Sequence, residues 1–565
     1  MQLTIDNIRI EAKSGQTLAE LIRSVGLDSR NLLDRPLAAK MAGEIFNLNY
    51  IPVRDDSELE LASQRRAVRA SNGEVHLIRY SDPAGRDVYA RTVQFLLFLA
   101  IRQLWPKARA KMDCTVGNAL YVEISGADDF DAARLKNRAQ ELVDADIPLL
   151  RRRVTTQEAI DLFAADGQTD KAKLLSWREV PYFDLYTYDD FSDYYYGELA
   201  PSTGYLQVWD ILPVEGGFMF LYPDHQNPEC VSGYEEMPKF LNVCTEGERW
   251  CELMECQTVS DLNEMVQTGK IRELIRVNEA LHEKRYSQVA DMVCSRGAKA
   301  VMLAGPSSSG KTTSANRLST QLRVHGKKPI LMSLDDYYMD RDLITPGPDG
   351  QLDLEHINTI DTDLFRQHLQ ALLRGEEVEL PSFNFKAGKR EWNGHKLKLS
   401  EQSVIVIEGL HALNPVLMPE GLDRSLVFKL YVSPLLPLNL DDHNRIPCST
   451  LRLLRRTVRD YATRGASVQK TMAMWNSVRR GEKRWIFPFQ EQADVIFNSS
   501  TLYELAVLKK YIFPLLSAIG PEEECYEQVR SLVKVLNYVL DADVEDEIPP
   551  TSLVREFIGG NSYYR

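Results

Sequence analysis

At 565 residues, 44% hydrophobic and 26% charged, the chain has the make-up of globular protein but exceeds what one hydrophobic core supports, so about three or four domains are expected. A net charge of −14 disfavours nonspecific binding of nucleic acid over the whole surface, although a local basic patch is still free to do so. No stretch approaches about 18 uninterrupted apolar residues, so no membrane span is expected. The eight cysteines form no C-x-x-C pair, which points to reduced thiols in a cytoplasmic protein rather than a disulfide framework or zinc site.

The first residues, Met1-Gln2-Leu3-Thr4, begin a strand-like alternation rather than a secretion signal. Leu3, Ile5, Ile8 and Ile10 continue it, broken at Asp6-Asn7 as a hairpin turn. Thr17 then precedes Leu18, Leu21, Ile22 and Val25, the pattern of a capped amphipathic helix that Gly26 ends. Short strands are expected at 38–41, 45–48 and 59–61. Strand, strand, helix and further strands over 1–63 resemble the TGS domain, a ubiquitin-like β-grasp fold that opens threonyl-tRNA synthetases and some GTPases.

Residues 64–225 extend that likeness. The run Arg91-Thr92-Val93-Gln94-Phe95-Leu96-Leu97, continuing to Trp105-Pro106, resembles the first helix of the synthetases' second N-terminal domain, an α+β editing fold. Asp193-Tyr194-Tyr195-Tyr196-Gly197-Glu198-Leu199-Ala200-Pro201 resembles the same domain's later loop. In that family the helix carries H-x-x-x-H and the loop a Cys and a His, together a metal-binding hydrolytic site. Here the matching positions are Thr92, Leu96, Tyr195 and Leu199, none of which can replace an imidazole or thiolate. The resemblance therefore implies the fold without the hydrolytic site. The surrounding aromatics, Tyr182 to Tyr196, suggest a packed surface or an altered pocket, of which packing in core and interface is favoured. From 226 to 290 the apolar residues fall at three- and four-residue spacings, a helical connector.

The chemistry is concentrated in 291–500. Gly305-Pro306-Ser307-Ser308-Ser309-Gly310-Lys311-Thr312 fits G-x-x-x-x-G-K-[ST], the loop that wraps a nucleotide's phosphates. The apolar strand 300–304 precedes it and a helical pattern follows from Thr312 to Val324, so backbone N–H groups and a helix N-terminus face an anion. Lys311 reaches the outer phosphates, the Thr312 hydroxyl holds Mg²⁺, and Thr313 completes the nucleotide-binding set. A second apolar strand, 329–334, delivers Asp335-Asp336-Tyr337-Tyr338 to where an acceptor must lie. Transfer of a phosphoryl group to a hydroxyl needs a base; Asp335 is the candidate, with Asp336 in reserve. Ser403-Val404-Ile405-Val406-Ile407 then delivers Glu408, a Walker B carboxylate placed to hold Mg²⁺. Between Arg445 and Arg484 stand eleven Lys/Arg against two acids, Asp460 and Glu482. Such a patch is a solvated face, an RNA-binding surface or a lid laying guanidiniums on a transferring phosphoryl group; its place after the Walker B strand favours the lid.

P-loop, D-D-Y-Y, D-L-E-H-I-N-T-I-D (353–361), E-G-L and R-R-x-x-R-D-x-x-x-R-G, in that order, resemble the uridine kinase and phosphoribulokinase family, an α/β fold with a parallel sheet. That resemblance implies ATP as donor, Mg²⁺, Asp335 as base, lid arginines at Arg456, Arg459 and Arg464, and Glu355, before His356, on ribose hydroxyls; Tyr338 and Phe383 belong to the implied acceptor pocket. The departures are also on the acceptor side. The family's Y-D-F-x-x-H reads Phe383-Asn384-Phe385-Lys386-Ala387-Gly388 here, so the base-reading His is lost. Ala466 stands for a ribose-contacting arginine and Met474 for a glutamine. Glu408-Gly409-Leu410-His411 is similar to the E-G-L-H of phosphoribulokinases. Residues 501–565 follow as a helical segment, a packing or oligomerisation element with no catalytic role expected.

Three readings follow. The first is an ATP- and Mg²⁺-dependent kinase acting on a nucleoside, uridine or a relative. The second keeps the mechanism and takes a sugar or sugar phosphate. The third is an RNA-binding or regulatory protein whose front half engages tRNA.

Overall fold

The computed structural model describes residues 1–53, 68, 71–117, 119–178, 180–224, 227–344 and 355–563. The first sheet forms as its alternation predicts. Gln2–Ile5 and Ile8–Glu11 pair antiparallel around Asp6 and Asn7, whose φ angles of 41° and 73° suit short polar side chains that tolerate the left-handed region. Thr17 caps the helix Leu18–Ser24 with a full capping box to Glu20, and Leu18, Leu21 and Ile22 turn into the core. The five strands run in the order 8–11, 2–5, 74–78, 38–41, 44–46. Glu74–Ile78, beyond residue 63, is the central strand and runs parallel to Gln2–Ile5. The strand expected at 59–61 lies outside the described residues.

The next unit wraps the long helix Pro83–Leu104. A four-stranded antiparallel sheet (210–214, 217–221, 119–125, 109–116) and a three-stranded one (191–193, 182–188, 151–155) flank it. Three helices, Pro238–Leu253, Val259–Thr268 and Ile271–Arg296, then lead into the second half.

There the five strands Ala300–Ala304, Lys328–Ser333, Ser403–Glu408, Val427–Ser433 and Val495–Asn498 form one sheet in the spatial order second, third, first, fourth, fifth. All its pairings are parallel. The first strand is fully buried, which explains its unbroken apolar run. Because the chain turns to opposite sides after neighbouring strands, a crevice opens at their carboxyl ends. Among the described residues two apolar clusters span the two halves, one of them joining Val116 and Met219 to Met302 and Ile405 of the parallel sheet. In the other, Phe163, Phe183 and Leu185 of the front pack with Leu438, Leu454, Leu532 and Leu536 of the back.

Among the described residues no helix is long and apolar enough to cross a membrane.

Candidate active site

The loop after the first strand is shaped by three residues. A Cβ on Gly305 would lie 2.1 Å from the Val432 carbonyl oxygen, so only glycine allows the loop to pass its neighbour strand. Ser308 (φ 60°) and Gly310 (φ 86°) take the left-handed conformation, which turns successive N–H groups toward a common centre, an anion nest. The Ser308 and Ser309 hydroxyls are buried and have no partner. The Lys311 ammonium donates to the Pro306 carbonyl across the loop (3.1 Å). The Thr312 hydroxyl donates to the Glu408 carboxylate (3.2 Å), bringing the two expected metal-holding residues together.

Around this pair the charges are crowded. Burial drives Lys311 below the ordinary lysine range, against the pull of Glu408, Asp335 and Glu556. Burial also lifts Glu408 to about 7, with Asp335 adding to the rise and Lys311 opposing it. Asp335 is raised by burial and by Asp336, and held back by Lys311 and Arg464. Carboxylates pushed up together beside an oxygen donor are what a hard divalent cation relieves. Thr312 and Glu408 therefore offer oxygen donors of the kind that fits Mg²⁺.

Asp335 follows the strand 328–333 in a tight turn, its N–H donating to the Ser333 hydroxyl (3.2 Å). Asp336 instead accepts from the Phe383 N–H (3.3 Å) and so ties the turn to the hairpin Val378–Asn384/Lys389–Leu397. Tyr338 feels the charges of Asp335, Glu355 and Glu408, and its ring lies 5.6 Å from that of Phe383 and 6.4 Å from that of Phe385. Glu355, lifted to about 7 by burial and by Glu482, is also within reach of Arg456, Lys311 and Asp335. His356 accepts from the Asn358 N–H (3.0 Å) and packs edge-on against Trp485. His411 is buried beside the Glu355 backbone, and burial lowers it to about 4.

The basic stretch divides by role. Apart from Arg445, on the strand Asn444–Arg445, it lies on the helices Cys448–Arg464 and Val468–Trp485, and on the first of them it is not simply a solvated face. Arg452 and Arg455 are buried. Arg452 donates to the Ser307 carbonyl (2.9 Å) and pairs with Glu482. Arg455 pairs with Glu504 (2.7 Å) and reaches the Ser308 carbonyl. Arg456 donates to the Ser307 hydroxyl (2.9 Å). Arg456, Arg459 and Arg464 also converge on one carboxylate, Asp460, at 3.3, 2.9 and 3.3 Å. The two acids of the stretch are thus its organisers: Glu482 accepts from the Ser307 N–H (2.9 Å), and Asp460 gathers the three lid candidates. Their isolation among so many cations was the available signal. One contact had none: the Thr313 hydroxyl donates to Glu556 (2.6 Å), 243 positions away.

In the front half, the Thr92 hydroxyl accepts from the Ala200 N–H (2.8 Å) and donates to the Val88 carbonyl (2.7 Å). Leu96 and Leu199 are fully buried, and the Tyr195 hydroxyl donates to Asp193 (3.1 Å). These four positions serve packing. The helix Tyr526–Leu536 lies over the same region, where the Lys534 ammonium approaches the Tyr196 carbonyl at 3.5 Å.

A glycine-rich loop on the central strand, a carboxylate on the adjacent strand and a second on the next define a P-loop kinase fold. Residues 300–506 match the model of the phosphoribulokinase / uridine kinase family, and the N-terminal part is similar to threonine–tRNA ligases. The enzyme of Methylobacillus flagellatus is 25% identical over 244 residues, 41% of this chain and 35% of the ligase. That of Paraburkholderia phymatum is 28% identical over 246 residues, with the same coverage. The chain thus spans about a third of the length of the ligases it matches. Solved structures that match part of the chain include a candidate fructose transport system kinase of Silicibacter sp. TM1040 (22% identity, 38% of this chain and 98% of that one, TM-score 0.29). A possible uridine kinase of Bacillus stearothermophilus (19%, 38% and 98%, TM-score 0.26) and the D-glycerate 3-kinase of Cryptococcus neoformans (16%, 47% and 89%, TM-score 0.20) are further ones.

Proposed function

We propose that the protein is an ATP-dependent kinase that phosphorylates a hydroxyl of a nucleoside, uridine or a relative. The observation that carries this reading is the meeting of Lys311, Thr312, Glu408 and Asp335 in one buried electrostatic cluster at the carboxyl ends of the parallel strands. The P-loop residues Gly305 to Thr313 hold the donor's phosphates. The acceptor oxygen attacks the terminal phosphorus, the bond to the bridging oxygen breaks, and the hydroxyl proton passes to the Asp335 carboxylate. Lys311, Arg456, Arg459 and Arg464 face the negative charge on the phosphoryl oxygens. Mg²⁺, when bound at Thr312 and Glu408, supplies further neutralisation of those oxygens. Asp336 is already engaged with the hairpin, which favours Asp335 as the base. Tyr338, Phe383 and Phe385 present tilted and edge-on rings beside it, an aromatic surface suited to a planar acceptor.

A sugar or sugar phosphate is the second reading, favoured by Lys386-Ala387-Gly388 where the family's base-reading His would stand, and by the half-buried Glu355 and the buried His411 near the acceptor side. Release of ADP over a panel of nucleosides, sugars and sugar phosphates separates the two, and strong turnover of a sugar phosphate alone would remove the nucleoside. Asp335→Asn should lower turnover by about 10³-fold while ATP affinity stays nearly unchanged; near-normal turnover would mean that the base is another group.

A further inference from the structure

The last described residues, 549–563, return to the nucleotide-binding loop. Leu553, fully buried, packs on Gly310, where a Cβ would lie 2.6 Å from the leucine Cδ2. Phe557 lies under the Arg455 guanidinium at 4.9 Å. Ser552 donates to Glu279 (2.6 Å), which also accepts from the Tyr503 hydroxyl (2.7 Å). Arg555 donates to the Ile548 carbonyl (2.9 Å). With Ser552, Leu553, Val554 and Phe557 all buried, the segment is a built part of the fold and not a removable plug. Glu556 differs from them: it remains half-buried. Its carboxylate accepts from the Thr313 hydroxyl at 2.6 Å, and the Asn561 amide donates to the same hydroxyl at 3.4 Å. Both Lys311 and Glu408 feel its charge.

The direction of a bound nucleotide follows from the loop. Lysine takes the outer phosphates and the backbone N–H groups the inner ones, so the nucleoside leaves on the side of the helix's first turn, at Thr313. The first group beyond the Thr313 hydroxyl is the Glu556 carboxylate. A carboxylate beside a phosphate is repulsive unless it is satisfied by neutral donors, and a ribose offers two such hydroxyls.

We propose that residues 549–563 form the nucleoside-side wall of the donor site, and that Glu556 is a specificity-determining residue accepting hydrogen bonds from the donor's ribose hydroxyls. This rests on the reading of ATP as donor. Titration calorimetry of the full chain with Mg²⁺ and ATP, 2′,3′-dideoxy-ATP or inorganic tripolyphosphate tests it, on the unchanged protein and on Glu556→Gln and Glu556→Ala variants whose melting temperatures match it. ATP affinity should fall about 10-fold in Glu556→Gln and further in Glu556→Ala, while dideoxy-ATP and tripolyphosphate bind all three proteins equally. Tighter ATP binding by Glu556→Gln would make the carboxylate a repulsive obstacle and overturn the proposal. Equal losses for ATP and tripolyphosphate would place its action on the phosphates, and no change for any ligand would remove its role; either result overturns it. Tripolyphosphate binding without ATP binding by the unchanged protein would sink the donor reading, and this proposal with it.

Discussion

At the scale of single residues, burial decides charge. His282 is buried beneath the loop that follows the last strand of the parallel sheet, its Nε2 3.1 Å from the Ser500 carbonyl. Desolvation lowers its pKa to about 4. An unfolded histidine takes up a proton below about 6.5. Between those values the unfolded chain binds the extra proton, so stability is present above about 6.5 and is lost by up to about 3 kcal/mol as pH falls toward 4. His411, also held at about 4 by burial, contributes with the same sign. Glu355 and Glu408, both raised to about 7 by burial, act with the opposite sign over the same range, so the histidine's share is read as a difference: as pH falls from 7 to 4, the melting temperature of the unchanged protein should fall relative to that of His282→Asn. No such difference would mean that the imidazole is solvated in the folded protein. The loop residues, Thr312 with Glu408, and Asp335 were legible from the sequence because each is fixed by its neighbours along the chain, an apolar strand ending in a turn. Glu482 stood out as one of two acids among eleven cations, but its partner, the Ser307 N–H, did not, and Glu556 on Thr313 had no signal at all. Both reach the loop from distant elements, and no local pattern specifies such a partner.

Elements repeat the contrast between local and remote causes. The capping box at Thr17, the two-residue turn at Asp6-Asn7 and the strand delivering Glu408 are encoded where they stand, and they form where the pattern places them. The short hairpin Asn439–Asp441/Asn444–Arg445 is different. It projects from the parallel-sheet half into the front half, just before the arginine helix Cys448–Arg464. At its tip His443 stacks on Phe98 (3.6 Å between ring centres). The His443 Nδ1 lies 2.7 Å from Asp193, whose other oxygen accepts from the Lys171 ammonium (2.5 Å). Lys171 and Asp193 are both essentially unexposed. Burial works to raise the Asp193 carboxyl, but Lys171 and His443 hold it well below the usual carboxylate range. Asp193→Asn would leave a buried ammonium without its counter-charge, so urea unfolding should show a loss of about 3–5 kcal/mol. The pH dependence has the sign of a depressed acid. The stabilisation is complete above about 4, the pKa of an unfolded aspartate, and is lost as pH falls below it. A variant as stable as the unchanged protein would show that the three groups do not form a charged network in solution.

At the scale of the whole molecule, the two resemblances meet in a shared interior. Phe163, Leu174, Phe183 and Leu185 of the front half pack in the same apolar cluster as Leu451 and Leu454 of the arginine helix and as Leu532 and Leu536 of the C-terminal helix. The front half therefore shares a core with the helix that carries Arg456, Arg459 and Arg464, and its helix Thr169–Leu175 packs on the hairpin strand Asn439–Asp441 that leads into that helix. Burying such side chains contributes roughly 1.5–3 kcal/mol each, so exposing this face is costly compared with the whole stability of an ordinary domain, about 5–15 kcal/mol. Removal of residues 1–225 should consequently lower the melting temperature of the remainder by well over about 10 °C, since each kcal/mol shifts a large domain by about 2–4 °C. It should also lower kinase turnover more than ATP affinity, because the loop 305–312 is held from its own half by Glu482, Arg455 and Ser499, whereas the hairpin that leads into the arginine helix loses its anchorage at Phe98 and Asp193. In the full chain both halves should unfold in a single calorimetric transition. Two well-separated transitions, or a shortened protein with unchanged melting temperature and turnover, would show instead that the halves are independent and that the front half serves a partner rather than the site.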